Sequence, residues 1–309
     1  MIHIAVGEMI GDYKVTRFVG RGGFSYVYLA EHRTTGEKVA LKFGNSAGGG
    51  HFVTRLLEVS SRRSVDGISP DETPGEAVFF HKGGVRVDFL DREEIDRLIR
   101  VEAQLLTAGV SPNIVKVKSC FEFEDRPVLV LEYVRGKTLR EKIRNLEGVH
   151  LNWFLAAVRA LQALSAEGGL PFHGDLKPEN IIIKPSGKVI LIDPAYRSED
   201  GATISTTPYY NPLVLRDSKA DVMGIGIMIY EILTGALPFE EVPWQDAGTQ
   251  QGGETLRMSL SYFLSYPPPH ELNPKTPAGL EDIVYRCISV PGYGLDELRQ
   301  DLENFIGKA

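Results

Sequence analysis

Polar and apolar residues alternate along Tyr13–Val19 and again along Tyr26–Glu31, and a third apolar run covers Lys38–Phe43. A period of two is the signature of strands, and Thr34-Thr35-Gly36 makes a short connection between the second and third. Gly44, Asn45, Ser46 and Gly48-Gly49-Gly50 break the pattern as a loop. His51–Arg63 then has Phe52, Leu56 and Val59 at helical spacing, which predicts a helix. Asp66–Glu76, rich in Pro, Gly and acids, is a second loop. Ala77–His81 and Val85–Leu90 around Lys82-Gly83-Gly84 predict a β-hairpin with Val85, Val87 and Phe89 on one face. A helical stripe of Ile95, Leu98, Ile99, Leu105 and Leu106 covers Arg92–Thr107 and is stopped by Pro112. Two more strands, Val115–Phe123 and Val128–Tyr133, turn at Asp125-Arg126-Pro127.

From Gly136 onward helices dominate. Asn152–Glu167 is a long one, ended by Gly168-Gly169. Short strands Ile181–Lys184 and Lys188–Ile192 flank Pro185-Ser186-Gly187, and helices resume at Ala220–Thr234, Leu280–Ile288 and Asp296–Phe305. A strand-rich first part and a helix-rich second part predict an α+β chain in two lobes. Its 309 residues, 43% of them hydrophobic, suffice for a sizeable core. A net charge of −7 argues against a nucleic-acid partner. The longest apolar stretch, near Gly224–Leu233, is shorter than the roughly 18 residues of a membrane helix, and Met1–Ile10 lacks a basic leader. The two cysteines, Cys120 and Cys287, sit beside hydrophobic residues and are expected to be buried, unpaired thiols of a cytoplasmic protein without a membrane partner.

Three segments carry chemistry. Gly20-Arg21-Gly22-Gly23-Phe24-Ser25-Tyr26-Val27 joins the first two strands, and glycines there let backbone N–H groups approach phosphates. A strand follows the glycines where a dinucleotide-binding motif would have a helix. Val39-Ala40-Leu41-Lys42 ends an apolar strand in a lysine whose burial needs an anionic partner, and Glu102 in the helical stripe is the candidate. Phe172-His173-Gly174-Asp175-Leu176-Lys177-Pro178-Glu179-Asn180 precedes one strand, and Leu191-Ile192-Asp193-Pro194-Ala195 ends the next. Asp175, Asn180 and Asp193 are oxygen-bearing side chains of the kind Mg²⁺ prefers, and Lys177 balances their charge.

In that order the motifs resemble the eukaryotic-type serine/threonine protein kinase family, across nearly the whole chain. The resemblance implies a bilobal protein-kinase-like fold: a small β-rich N-lobe over residues 1–134, with an insertion at about 44–90, and a larger, mostly helical C-lobe over 135–309. It implies ATP and Mg²⁺ as cofactors and a protein as substrate. Lys42, held by Glu102, would grip the α- and β-phosphates under the loop of Gly20, Gly22 and Gly23. Asn180 and Asp193 would hold Mg²⁺. Asp175 would orient the substrate hydroxyl and accept its proton, and Lys177 would stabilise charge on the transferring phosphoryl. Leu131-Glu132-Tyr133-Val134 resembles the gatekeeper and hinge, with Glu132 and Val134 binding adenine between Val19, Val27, Ala40 and Ile182. Asp221 would brace the catalytic loop.

The chain also departs from the family. Gly174 replaces the arginine that docks a phosphorylated activation loop, so activity is expected not to depend on phosphorylation between Ser198 and Thr206. Pro194-Ala195 replaces Phe-Gly. Asn211-Pro212-Leu213 replaces Ala-Pro-Glu and Gly294 sits near the family's late arginine, so both ends of a family ion pair are missing together, which costs far less than stranding one charge. Thr207 is the threonine expected to contact Asp175 and Lys177, and Thr138 stands at a position that is acidic in kinases favouring basic substrates. A pseudokinase scaffold and a small-molecule kinase of aminoglycoside or fructosamine type are the competing readings. Lys42 and Glu102 are 60 residues apart, and the surplus carries Phe52, Leu56, Leu57, Val78, Phe79, Phe80, Val87 and Phe89. So much apolar surface is expected to pack on the small lobe or on a regulatory partner.

Overall fold

The computed structural model describes residues 4–22, 25–44, 51–58, 83–108, 111–166, 171–194, 196–197, 203–204, 209–212, 215, 217–238, 245–246, 255–257, 266–290 and 292–308. The first part builds a sheet from β1 (Met9–Ile10), β2 (Tyr13–Arg21), β3 (Ser25–His32) and β4 (Lys38–Gly44). After β5 (His51–Glu58), β6 (Gly83–Leu90) and helix α1 (Arg92–Ala108), strands β7 (Val117–Phe123) and β8 (Arg126–Glu132) complete it. The order is β1-β2-β3-β4-β8-β7, with every neighbouring pair antiparallel. Alternation puts Val15, Tyr28, Ala30, Val39, Leu41, Phe43, Val128 and Val130 into one apolar cluster. The opposite face carries Val27, Ala40, Lys42, Leu129 and Leu131, because Val27 pairs with Lys42, Lys42 with Leu129 and Ala40 with Leu131.

The second part runs through β9 (Lys137–Thr138), α2 (Leu139–Arg144), α3 (Leu151–Ala166), β10 (Ile181–Ile183) and β11 (Val189–Leu191). Short strands β12 (Tyr196–Arg197) and β13 (Thr203–Ile204) precede α4 (Ser218–Thr234). Strands β14 (Gln245–Asp246) and β15 (Thr255–Arg257) then lead to α5 (Pro269–Leu272), α6 (Ala278–Ser289) and α7 (Leu295–Ile306). Helix α4 is apolar on all sides and buried from Ala220 to Glu231, so the other helices pack around it. It begins at Asp217, whose side chain accepts from the Lys219 N–H, and ends at left-handed Gly235. A larger core joins α1 and β8 to α3, α4, α6 and α7. Among the described residues no helix is long and apolar enough to cross a membrane.

Three expectations change. Residues 51–58 form a strand, not a helix, and β5 pairs with β6 along its whole length, from His51 opposite Leu90 to Glu58 opposite Gly83. Phe52, Thr54 and Leu56 stand opposite Phe89, Val87 and Val85, so pairing with an alternating strand overrides an ambiguous short pattern. β6 pairs with β5 and, at Val85 and Arg86, with β15; residues 59–63 and the Ala77–His81 strand of the expected hairpin lie outside the described residues. β5 and β6 sit at the centre of a second sheet, order β12-β13-β5-β6-β15-β14, reached by the segment after Asp193 on one side and residues 255–257 on the other. Cys120 is free but exposed, because β7 is an edge strand that turns Phe121 and Phe123 toward the core; Cys287 is free and buried as expected. The β7–β8 turn falls at Glu124 and Asp125, both at positive φ, and Arg126 already belongs to β8.

Packing against α4 tolerates no added atoms. A Cβ on Gly226 would lie 2.3 Å from Cys287 Cβ, whereas one on Gly292 would meet nothing within 4 Å. Gly226→Ala should therefore lower unfolding free energy by about 1–3 kcal/mol, the usual cost of overpacking, while Gly292→Ala leaves the urea midpoint within error.

Candidate active site

Helix α1 starts at a capping box: the Glu94 N–H donates to Asp91 Oδ1 at 2.9 Å and the Asp91 N–H to Glu94 Oε2 at 3.2 Å. That start sets the phase of the helix, and Ile95, Ile99, Glu102 and Leu106 follow on one inward face. Glu102 is 1% exposed and meets Lys42, 3% exposed, with Nζ 2.8 Å from Oε1 and 2.7 Å from Oε2. Lys42 Nζ also donates to Asp193 Oδ1. Burial alone would discharge this lysine, but the charges of Asp193 and Glu102 outweigh it and hold its pKa above the ordinary value. Burial likewise works against the Asp193 carboxylate, and Lys42 overcomes it, so Asp193 titrates below the usual range. Asp193 sits at φ 58°, a left-handed conformation that a non-glycine residue holds only when its surroundings over-determine it.

The loop before β10 is fixed from below by α4. Asp221, fully buried, accepts the backbone N–H groups of His173 and Gly174 at 2.7 and 2.8 Å. A Cβ on Gly224 would lie 2.8 Å from the Leu176 carbonyl oxygen, so glycine lets the helix touch the loop directly. Lys177 Nζ donates to Asp175 Oδ2 at 2.6 Å. Asn180 Nδ2 donates to the Asp175 carbonyl at 2.9 Å and to the Asp193 carbonyl at 3.3 Å, and the Ile192 N–H returns to the Asn180 carbonyl at 3.0 Å. One amide thereby ties the loop to the segment that carries Asp193. His173 packs its ring Nε2 3.0 Å from the Ile192 carbonyl.

The remaining expected residues that are described lie on β2, β3, β4, β8 and β10 or just beyond them. Gly20 pairs with Val27, and the Gly22 N–H closes the hairpin onto the Ser25 carbonyl at 2.8 Å. Val19 falls at the register shift between Phe18 and Gly20 and is 46% exposed. Val27 and Ala40 share the face of Lys42; Leu131 and Val134 are buried at the end of β8, and the Glu132 N–H is taken by the Lys116 carbonyl at 2.9 Å. Ile182, on the central strand β10, packs partly buried against the larger core. Gly23, Ala195, Thr207 and the stretch 198–202 lie outside the described residues.

The protein kinase domain profile matches residues 87–290, well over half of the sequence. This chain belongs to the protein kinase family. The serine/threonine-protein kinase PrkC of Bacillus subtilis is 25% identical over 96% of this chain and 40% of its own length. The probable serine/threonine-protein kinase PknB of Lactococcus lactis is 26% identical over 92% of this chain and 40% of its own. The kinase thus spans about two-fifths of these curated relatives. Among solved structures, PpkA-294 in its apo form aligns with a TM-score of 0.63 at 16% identity, covering 97% of this chain and 99% of that one. The PknI kinase domain of Mycobacterium tuberculosis aligns at 0.59 and 17%, covering 98% and 99%. At such identities these structures establish the fold, bilobal and α+β.

Two supports of the site escaped sequence reasoning. Arg140, two residues past Thr138, donates to Glu179 at 2.7 Å and also to Glu231 and the Tyr210 hydroxyl. It binds α2, the loop before β10 and α4 together, one guanidinium between two carboxylates. The signal was an arginine at the start of an amphipathic helix, which composition reads as a solvated face. The second support is Lys219. Its Nζ donates to the carbonyls of Cys287 at 2.9 Å and Val290 at 2.7 Å, capping α6 with a cation. Asn211 instead exchanges two hydrogen bonds with the Leu215 backbone.

Burial pushes the His173 imidazole down to about 4. The sign follows: an unfolded His binds a proton between its ordinary pKa and about 4 while the folded one stays neutral, so this residue's contribution is lost as pH falls through that window. Burial raises Asp221 to about 7, which acts with the opposite sign over an overlapping range. Comparing wild type with His173→Asn isolates the imidazole. The stability advantage of wild type should shrink by about 3 kcal/mol between pH 7 and pH 4, read from urea midpoints.

Proposed function

We propose that this kinase transfers the γ-phosphoryl group of ATP to serine or threonine hydroxyls of protein substrates. The observation that carries this reading is the placement of Lys42 between Glu102 and Asp193, with Asp175 and Lys177 one hydrogen bond from Asn180. ATP lies between a lobe of residues 1–134 and one of residues 135–309, its base against Val19, Val27, Ala40 and Ile182 and along Leu131, Glu132 and Val134. The loop of Gly20, Gly22 and Gly23 covers the phosphates with backbone donors.

Lys42 is charged at neutral pH and attracts the α- and β-phosphates, and Glu102 keeps it from collapsing wholly onto Asp193. Asp193 and Asn180 suit a hard cation. Asp193 is ionised and about a third exposed at 36%, and Asn180 commits its amide N–H groups to the loop, which leaves a carbonyl oxygen as donor. Among the described residues no group of three His, Cys, Asp or Glu side chains could enclose a metal, which fits Mg²⁺ held by few side chains and the substrate phosphates. Bound there, Mg²⁺ neutralises phosphate charge. Asp175, buried and fixed by Asn180, orients the attacking hydroxyl and takes its proton, while Lys177 steadies the charge that develops on the transferred group. Positioning and electrostatics provide most of the catalysis.

The Lys177-Pro178-Glu179-Asn180 loop favours serine and threonine acceptors, and the insertion at 44–90 is the place for a regulatory partner. Lys42→Met, Asp175→Ala and Asp193→Ala should each lower phosphotransfer to a protein acceptor by at least about 10²-fold in protein that circular dichroism shows to be folded, Lys42→Met at a lowered urea midpoint because it strands the buried Glu102. A wild-type protein that phosphorylates aminoglycosides or fructosamines but no protein would move the reading to a small-molecule kinase. Wild type without phosphotransfer to either would move it to a scaffold.

A further inference from the structure

The catalytic reading uses Glu102 but leaves unexplained a second buried ion pair on the same helix. Asp96 and Arg126 are each 5% exposed. Arg126 Nη2 donates to Asp96 Oδ1 at 2.6 Å, and its Nε lies 3.0 and 3.3 Å from Oδ1 and Oδ2. The pair is the buried rung of a ladder. At four-residue spacing along α1, Arg92 donates to the Asp125 carbonyl at 2.9 Å, Asp96 meets Arg126, and Arg100 meets Glu122 at 2.9 Å. The partners are residues 122–126, the tip of the β7–β8 hairpin. Arg92 also approaches Asp96 at 3.5 Å, but its side chain is half exposed. Exposed rungs are screened and worth little, whereas a buried charge cannot part from its partner cheaply. The buried rung therefore sets where α1 stops along its own axis.

We propose that Asp96 and Arg126 are positioning residues that hold Glu102 in register with Lys42, and that this register is the point where the insertion acts on the catalytic centre. Asp96 lies six residues before Glu102, roughly 9 Å along the helix axis, so a slide or tilt at one end moves the carboxylate at the other. One end of the insertion reaches this pair. Gly44, the last residue of β4, is packed onto it: a Cβ there would lie 2.4 Å from Ile95 Cγ2, 2.5 Å from Arg126 Nη2 and 3.1 Å from Asp96 Oδ1. At the other end Asp91 caps α1 and its carbonyl accepts the Ile95 N–H at 3.1 Å.

The proposal takes its catalytic meaning from the kinase reading above, so its test needs a readout that does not require phosphotransfer. That readout is acylation of the Lys42 amine by a soluble amine-reactive reagent, without nucleotide, followed by peptide mass spectrometry. Asp96→Asn removes a charge, and Gly44→Ala wedges the pair apart without removing one. Both should raise the Lys42 rate several-fold while Lys219, half-buried in the other lobe, keeps its wild-type rate. Replacing both partners with apolar residues, Asp96→Leu with Arg126→Met, should recover the urea midpoint lost in Asp96→Asn without recovering Lys42 protection. In phosphotransfer, Asp96→Asn should lower kcat/KM for ATP about tenfold in wild type and by less than about twofold in a Glu102→Gln background, because both act through one contact. Equal rises at Lys42 and Lys219, or unchanged Lys42 labelling in Asp96→Asn and Gly44→Ala, would reduce the pair to a fold contact and overturn the proposal. Selective Lys42 labelling in a protein that transfers no phosphate would leave the proposal standing and refute the kinase reading alone.

Discussion

An ammonium group out of contact with water shapes the small lobe. Lys42 ends an apolar strand, and alternation turns it away from the Val39–Leu41–Phe43 cluster onto the face where α1 crosses the sheet. A lone charge there would cost several kcal/mol, so the fold must bring carboxylates to it. Glu102 arrives from α1, which must then lie close to β4, and Asp193 arrives from the end of β11, across from the helical lobe. One cation thus links three elements distant in sequence. Asp193 also pairs with it directly, and each holds the other in its charged form.

The helical lobe answers with the opposite device, a rod with almost no charge. Helix α4 is buried along most of its length, and its one fully buried acid, Asp221, is matched to two backbone N–H groups of the catalytic loop. Oxygen acceptors against amide donors fix a loop more tightly than apolar contact, since each partner left unmatched would be costly. Asn180 then carries that order to Asp193 through one side-chain amide.

Much of this was legible in the sequence for a physical reason. Strands such as Tyr13–Arg21 and Lys38–Gly44 alternate because one face is buried, and α1, α3 and α6 carry apolar stripes. The site motifs could be read because their chemistry permits few substitutes: a strand lysine, a loop aspartate, an asparagine and a second aspartate in fixed order. Residues 51–58 could not be read, since Phe52 and Leu56 fit both a helical and an alternating pattern and the partner strand lies far along the chain. Arg140, Lys219 and the Asp96–Arg126 pair were invisible for a related reason. A charged residue looks solvated until the fold brings its partner, and for Lys219 those partners are backbone carbonyls with no signature at all.

The central claim is that the Asp175 carboxylate, held by Lys177 and Asn180, serves phosphoryl transfer to protein hydroxyls. Asp175→Asn preserves shape and hydrogen-bonding capacity while removing the base. The most direct measurement is quantitative phosphoproteomics of cells expressing either wild type or Asp175→Asn at equal levels. The account predicts a set of phosphoserine and phosphothreonine sites present with wild type and absent with the variant. Indistinguishable phosphoproteomes, with wild type folded and binding ATP, would contradict it.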